Sequence, residues 1–219
     1  MNTLTKLALG LMGQLKPRPG TEGGARVVAL PPPRRTGGMA LADALQSRES
    51  KREFDETPLA EQVLSDLLWS AAGINRPEPG GRTAPSAMNA QEVQLHVAMP
   101  QGLFRYDPAG HALQMTQASD VRRVTGYQDF VDAAPLDLIY VADHSHSKLV
   151  PAAQRESFAF AAAGAMAQNV YLFCAANGLA TVIRAWFDHR ALSQAMGLGT
   201  DQQLLLCQTV GRPRGAARP

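Results

Sequence analysis

The stretch from Ser157 to Asn177 constrains this chain more than any other. Its middle is built from Ala159, Ala161, Ala162, Ala163, Gly164, Ala165 and Ala167, and alanine is the strongest helix former. Small side chains let another backbone approach closely, while Phe158, Met166, Val170, Leu172 and Phe173 supply bulk elsewhere. A helix apolar around most of its circumference is buried, either at the centre of a domain or across a dimer interface. Asn177-Gly178 ends it, in the manner of a left-handed C-terminal cap.

The remaining elements must surround that helix. Met39 to Arg48 reads as a helix with Leu41 and Leu45 one turn apart. Thr57-Pro58 reads as a second helix start, after which Leu59, Val63, Leu64, Leu67, Leu68 and Ala71 form one apolar face, closed by Gly73. Val93, Leu95 and Val97 alternate with Gln94, His96 and Ala98 as a half-buried strand. Leu103–Tyr106 and His111–Met115 flank Asp107-Pro108-Ala109-Gly110, a hairpin signal that leaves His111 as decoration. Leu136 to Val141 is a nearly continuous apolar run, hence a strand buried on both faces. Leu179 to Trp186 reads as a strand, Asp188 caps a short helix closed by Gly197, and Gln203 to Val210 is a last buried strand. Strands mixed with helices, without regular βαβ alternation or an internal repeat, indicate an α+β fold.

Residues 14–38 are rich in Pro, Gly and Arg, and the short apolar run at 6–12 reads as a weak helix or tail. The expected organisation is an extended arm over 1–38 and a single domain over 39–219. With 219 residues and 45% apolar content, that domain can bury a sizeable core. A net charge of +2 gives no general field for nucleic acid. Cys174 and Cys207 each lie in an apolar run and read as buried reduced thiols, which fits the cytoplasm. No stretch is expected to serve as a membrane span.

Two polar stretches stand out against this frame. If Arg48–Phe54 is extended, Arg48, Ser50 and Arg52 fall on one side and Glu49, Lys51 and Glu53 on the other. Two guanidiniums flanking a hydroxyl make a phosphate cradle; a solvated charge run at a helix end is the plain alternative. The second stretch is Gly80–Gln91. Pro85 fixes one dihedral and biases Ala84 towards an extended conformation, so the amides from Ser86 to Asn89 can be held in set positions. Such donors suit a planar heterocycle with polar edges, although an ordinary surface loop has the same composition. Asp143-His144-Ser145-His146 offers two imidazoles but no third ligand at a known spacing, so it reads as a flexible loop and no metal is expected. No Ser-His-Asp, Cys-His or paired-carboxylate set is visible, and no G-x-G-x-x-G follows a strand.

In order and spacing, these motifs resemble the nitroreductase family of flavoproteins over about residues 40–213. The nearest branch is the one containing the SagB-like and thiazoline-oxidising dehydrogenases. Arg48-Glu49-Ser50-Lys51-Arg52-Glu53-Phe54 is similar to the family's R-x-S-x-R/K-x-F opening, and Pro85-Ser86-Ala87-Met88-Asn89-Ala90-Gln91 to its P-S-S/A-x-N-x-Q loop. Gln168-Asn169, Gly178-Leu179-Ala180-Thr181, Phe187-Asp188 and Val210-Gly211 extend the likeness.

The resemblance implies a nitroreductase-like α+β fold. Its central mixed or antiparallel sheet would be flanked by helices, with the long helix at the interface of a homodimer that binds FMN between subunits. Arg48, Ser50 and Arg52 would hold the phosphate and ribityl chain. Glu49, where the family usually has a basic or aromatic residue, would turn its carboxylate away or act through its backbone. Pro85, Ser86, Ala87, Met88 and Asn89 would come from the partner subunit. Gln128 would present its amide to the pyrimidine edge. Ile183, Arg184 and Ala185 would line the opposite face, with the Arg184 guanidinium near the flavin, drawn to an acidic substrate, or facing solvent. Arg212 or Arg214 would complete the phosphate site. No side chain is then required as a catalyst, because N5 of the flavin carries the chemistry. Hydride from NADH or NADPH would pass in ping-pong fashion to a small-molecule acceptor such as a nitroaromatic or quinone. Dehydrogenation of a C–N or C–S heterocycle, or flavin storage without turnover, are the alternatives.

Overall fold

The apolar run at residues 136–141 lies in the middle of the molecule's main sheet, and the rest is arranged to either side of it. The architecture is that of a computed structural model, which describes residues 1–21, 26–78 and 80–215. In chain order the elements begin with α1 (Thr3–Leu11), β1 (Arg18–Pro19), β2 (Val27–Ala29), α2 (Leu41–Ser47) and α3 (Glu61–Ala72). They continue with β3 (Ile74–Arg76), β4 (Gly81–Arg82), β5 (Val93–Met99), β6 (Gly102–Asp107), β7 (Ala112–Gln117) and β8 (Ser119–Asp120). The C-terminal part holds β9 (Leu136–Asp143), α4 (Ala152–Ala176), β10 (Ala180–Arg184), α5 (His189–Met196) and β11 (Gln202–Gly211). Seven strands form the main sheet in the order β10-β11-β9-β5-β6-β7-β2, and each neighbouring pair is antiparallel.

Both faces of that sheet are covered, which is why β9 shows no alternation of apolar and polar residues. Leu136, Leu138, Tyr140 and Ala142 pack under α3 and α4, while Ile139 and Val141 pack with Leu15, Phe187, Leu192 and Met196 on the other side. The same double cover corrects the expectation for β5, where Leu95, His96, Val97 and Ala98 are all buried rather than every second residue. α4 buries Ala159, Ala162, Ala163, Met166, Ala167, Val170, Tyr171 and Cys174. Its burial is one-sided, however, since Ala161, Gly164 and Gln168 are exposed along the opposite stripe. By length and composition α4 is apolar enough to cross a membrane, contrary to expectation, but 44% of its apolar window is buried inside this fold.

Local chemistry accounts for the other differences. α3 starts at Glu61 rather than at Thr57-Pro58, because the Asp55 carboxylate accepts the Thr57 N–H at 2.7 Å in a tight local turn. Gly73 ends α3 with a φ of −69°, so its role is space: a Cβ there would collide with the Trp69 ring. The apolar run near the N-terminus is a helix, as one of its two readings had it, so the arm over 1–38 is not extended throughout; the helix spans residues 3–11 and is capped by Asn2, whose Oδ1 accepts the Thr5 N–H at 2.9 Å. The following segment is stitched to the domain: β2 pairs with β7, and Asp66 accepts both the Arg34 backbone N–H and its Nε–H at 2.7 Å. His111 does more than decorate its hairpin, because its ring contacts the Tyr106 hydroxyl at 2.9 Å, Ser65 Oγ at 2.8 Å and the Pro31 carbonyl at 3.1 Å. Cys174 and Cys207 are free and buried, and burial pushes both thiols up.

His96 in β5 gives the fold an acid weakness. Its ring is buried with neither nitrogen hydrogen-bonded, and burial, with the Arg105 charge nearby, pulls its pKa down from 6.5 to about 4. The unfolded chain therefore takes up a proton between those values while the folded chain does not. Stability is full above pH 6.5 and falls as pH drops towards 4, by on the order of 3 kcal/mol. Urea midpoints measured across that window should fall steeply for the native chain and less steeply for His96→Leu; parallel curves would contradict the assignment.

Candidate functional site

The first polar stretch lies where an extended segment closes an open sheet edge. α2 stops at Ser47, and Arg48 turns into extended backbone at φ −61°, ψ 121°. The segment then runs beside the edge strand β10, with the Lys51 N–H donating to the Thr181 carbonyl at 3.0 Å. Phe54 bridges to Pro213, the Asp55 N–H donates to the Arg212 carbonyl at 2.9 Å, and the Arg214 N–H donates to the Glu53 carbonyl at 3.2 Å. An exposed edge is thereby covered, and residues 48–52, 183 and 212–214 come to one rim of the sheet.

Tyr171 of α4 joins these pieces. Its hydroxyl accepts the Ile183 N–H at 3.0 Å and shares a hydrogen bond with Ser50 Oγ at 2.8 Å, while the Arg48 guanidinium sits 5.2 Å from the centre of its ring. A single phenol in an apolar helix reads as core from sequence; its polar tip, opposite a motif serine, was the only available signal. Glu49 is occupied by Lys51, 3.2 Å away. Among the described residues, Arg48, Arg52, Arg212 and Arg214 form no ion pair with a carboxylate. A rim of guanidiniums without carboxylate partners, with a serine and a tyrosine hydroxyl among them, has the donor chemistry a phosphate needs.

Arg184 does not face solvent. Strand alternation sends its side chain to the opposite face from Ile183, where it is 6% exposed. There its guanidinium donates to Asp137 Oδ1 at 2.6 Å, to Thr209 Oγ1 at 2.8 Å and to the Thr125 carbonyl. At this position only the backbone is available to the rim, together with half-buried Ile183 and exposed Ala185. Gly126 makes room for this packing, since a Cβ would strike the Arg184 guanidinium and lie 2.6 Å from Gln128 Oε1. The Gln128 carbonyl accepts the Lys6 ammonium at 2.8 Å, but its side-chain Oε1 is buried without a partner. A buried amide oxygen without a partner is costly, and this one lies in the same pocket as the Arg184 guanidinium, on the other side of the Gly126 backbone position.

The second polar stretch is rigid, and Gln91 organises it. The Gln91 N–H donates to Ser86 Oγ at 2.9 Å, and its side-chain amide donates to Asn89 Oδ1 at 3.0 Å and to the Gly80 carbonyl at 2.9 Å. Arg82 donates to Gln91 Oε1 at 3.0 Å. Asn169 of α4 ties the loop down, donating to the Ser70 and Thr83 carbonyls at 3.1 and 3.3 Å. Met88, Asn89 and Gln91 have φ of 54°, 53° and 51°, a conformation that non-glycine residues hold only where the surroundings fix it. With Ser86 and Asn89 satisfied internally, the loop offers outward the Met88 side chain and the amides beside Pro85 and Ala87. No hydrogen bond, ion pair or ring contact among the described residues joins 85–89 to 48–52, 128, 183–185 or 212–214. The two polar stretches are thus not bonded to each other within the chain.

The Asp143–His146 segment is a structured turn rather than a flexible loop: Asp143 Oδ1 accepts the Ser145 N–H at 3.1 Å and His144 contacts Gln203 at 2.8 Å. Among the described residues no three potential ligands gather around a metal position.

Comparison with known proteins gives a consistent result. The Nitroreductase family profile matches residues 45–212. A crystal structure from Ralstonia eutropha JMP134, of a protein named as a nitroreductase, is 50% identical with a TM-score of 0.88, covering 92% of this chain and 96% of that one. A protein of Methanocaldococcus jannaschii carrying the nitroreductase name is 29% identical, covering 69% of this chain and 81% of the relative. At the level of fold alone, a Desulfovibrio desulfuricans structure named as a nitroreductase in complex with FMN is 19% identical with a TM-score of 0.57. It covers 84% of this chain and 94% of that one.

Proposed function

Because the chain belongs to the nitroreductase family, whose members are flavin oxidoreductases, we propose that it binds FMN and works with NADH or NADPH as reductant. FMN so bound would supply hydride-transfer chemistry between that reductant and an electron-poor acceptor such as a nitroaromatic or quinone, in ping-pong order. The observation that carries the proposal is the rim of guanidiniums without carboxylate partners, keyed by Tyr171 to the Ile183 backbone.

Each residue then has a physical task. Arg48, Arg52 and Ser50 hold the FMN phosphate and ribityl hydroxyls, with Arg212 or Arg214 adding a further cation. Tyr171 keeps Ser50 and Ile183 in mutual register. The Gln128 side-chain amide would serve the polar edge of the ring. At the end of β10 the Ile183 N–H is taken by Tyr171 and Arg184 is paired with Asp137, so the backbone of Ala185, just beyond the strand, would be the group left to serve the ring. Catalysis by this arrangement is positioning and electrostatics, with no side chain required to carry a proton.

The two polar stretches meet in a homodimer, where each subunit lends Pro85–Asn89 to its partner. Support comes from the exposed stripe of α4 and from an apolar groove of about 410 Å3 beside it, lined by Met39, Leu41, Leu172 and Phe173. Burying such a surface is favourable by roughly 25 cal/mol per Å2. The two buried free thiols suit a reducing cytoplasm. Sedimentation of the FMN-loaded protein, followed at flavin and protein wavelengths, should show one flavin per chain on a dimer. A monomer that retains its full complement of flavin would contradict the shared site.

A further inference from the structure

Where β5 and β6 separate, the sheet opens into a second polar cavity. The strands pair from His96–Arg105 to Met99–Gly102. Beyond that register Val93–Leu95 and Tyr106–Pro108 diverge and line a cavity of about 320 Å3. Arg82 reaches it from β4 and Arg105 from β6, with Gln94, Gln114 and His146 also in its wall.

The charges in this cavity do not balance internally. Among the described residues, neither Arg82 nor Arg105 has a carboxylate ion-pair partner. Arg82 gives hydrogen bonds to Gln91 Oε1 and the Ala72 carbonyl at 3.0 Å each, and Arg105 gives one to Gln114 Oε1 at 2.9 Å. The carboxylate in the wall, Asp107, is engaged by its own turn: it accepts the Ala109 N–H at 3.0 Å and the Gln114 amide at 3.2 Å. Burial also pulls the Arg82 pKa down, which is the mark of a charge held at some cost. Two guanidiniums thus border one partly enclosed cavity with a single carboxylate, Asp107, in its wall, which leaves the lining with an excess of positive charge.

We propose that this cavity binds an oxyanion, the phosphate or carboxylate group of a small molecule, between Arg82 and Arg105. Its volume falls at the lower end of small-molecule sites, roughly 300 Å3 and above, so it takes more than a lone ion. Arginine forks match phosphate and carboxylate geometry with two donors each. The cavity is separate from the guanidinium rim at 48–52, since β6 lies four strands from β10 in the sheet order, or about 19 Å at roughly 4.8 Å per strand, although Arg82 and Gln91 join its wall to the foot of the 85–89 loop.

The test is calorimetric titration of the full chain, with excess FMN present, using inorganic pyrophosphate and citrate as probes at fixed ionic strength. Saturable binding of one probe per chain is expected, and which probe binds decides between phosphate and carboxylate. Arg105 is exposed, so Arg105→Gln should fold normally and weaken binding at least about tenfold, the loss of one charge-assisted contact. Gln94→Glu, which adds a carboxylate to the wall, should abolish it. An Arg48→Ala/Arg52→Ala chain should bind the probe as the native chain does, whether or not FMN binds at the rim. Absence of saturable binding by either probe, binding indifferent to Arg105→Gln, or binding lost only when Arg48 and Arg52 are replaced would each overturn the proposal.

Discussion

Arg184→Ala is expected to destabilise the fold by about 3–5 kcal/mol, the cost of leaving a buried charge without its partner. Asp137 is 0% exposed, and its carboxylate accepts from Arg184, Thr125 and Thr209. Removing the guanidinium strands that carboxylate and frees the Thr125 carbonyl. For a chain of this size each kcal/mol lowers the melting temperature by about 2–4 °C, so a loss of roughly 6–20 °C should be seen. FMN affinity of the folded fraction should change much less, because the guanidinium is taken up by Asp137, Thr209 and the Thr125 carbonyl. A guanidinium beside the flavin predicts the reverse, intact stability with altered affinity, so measuring unfolding and flavin titration on one variant separates the two.

Replacing Arg48 and Arg52 together with alanine should weaken FMN binding by roughly 10^2- to 10^4-fold, taking two charge-assisted contacts at about 1.5–3 kcal/mol each. Arg48 is half-buried and Arg52 exposed. Apart from the Arg48 contact with the Tyr171 ring, worth about 0.5–1 kcal/mol, neither supports the core. Stability should therefore change by no more than about 1 kcal/mol while affinity collapses. Unchanged FMN affinity would show that residues 48–52 are a solvated charge run.

The parts of the fold legible in the sequence were those with local causes. α5 announces itself through Asp188, which accepts the Ala191 N–H at 2.9 Å, and Gly197 at φ 68°. The β6–β7 hairpin is dictated by its Asp-Pro-Ala-Gly turn, and β9 and α4 by largely apolar runs, broken by Asp137 in the one and by Gln168-Asn169 in the other. What escaped depends on which partner lies across space. Burial of β5 on both faces requires the N-terminal segment and α5 behind it, and nothing in residues 93–99 shows that cover. The direction of Arg184 follows from a carboxylate on β9 and a threonine on β11, far away in sequence.

The site divides along the same line. The period-two pattern of Arg48, Ser50 and Arg52 was legible because extended backbone alone creates it. Tyr171 was not, because its function arises only when α4 lies against the edge of β10. Likewise, Pro85 and the glycines indicated a fixed loop, while the bonds that fix it run through Gln91, Arg82 and Asn169, whose partners only the folded chain supplies.

Anaerobic addition of NADH or NADPH to the FMN-loaded protein, followed in the flavin absorption band, tests the central claim most directly. The band should bleach with at least one of the two nucleotides and return when a nitroarene or quinone is added. A bound flavin whose band stays unchanged with both nucleotides would contradict the proposed reductase.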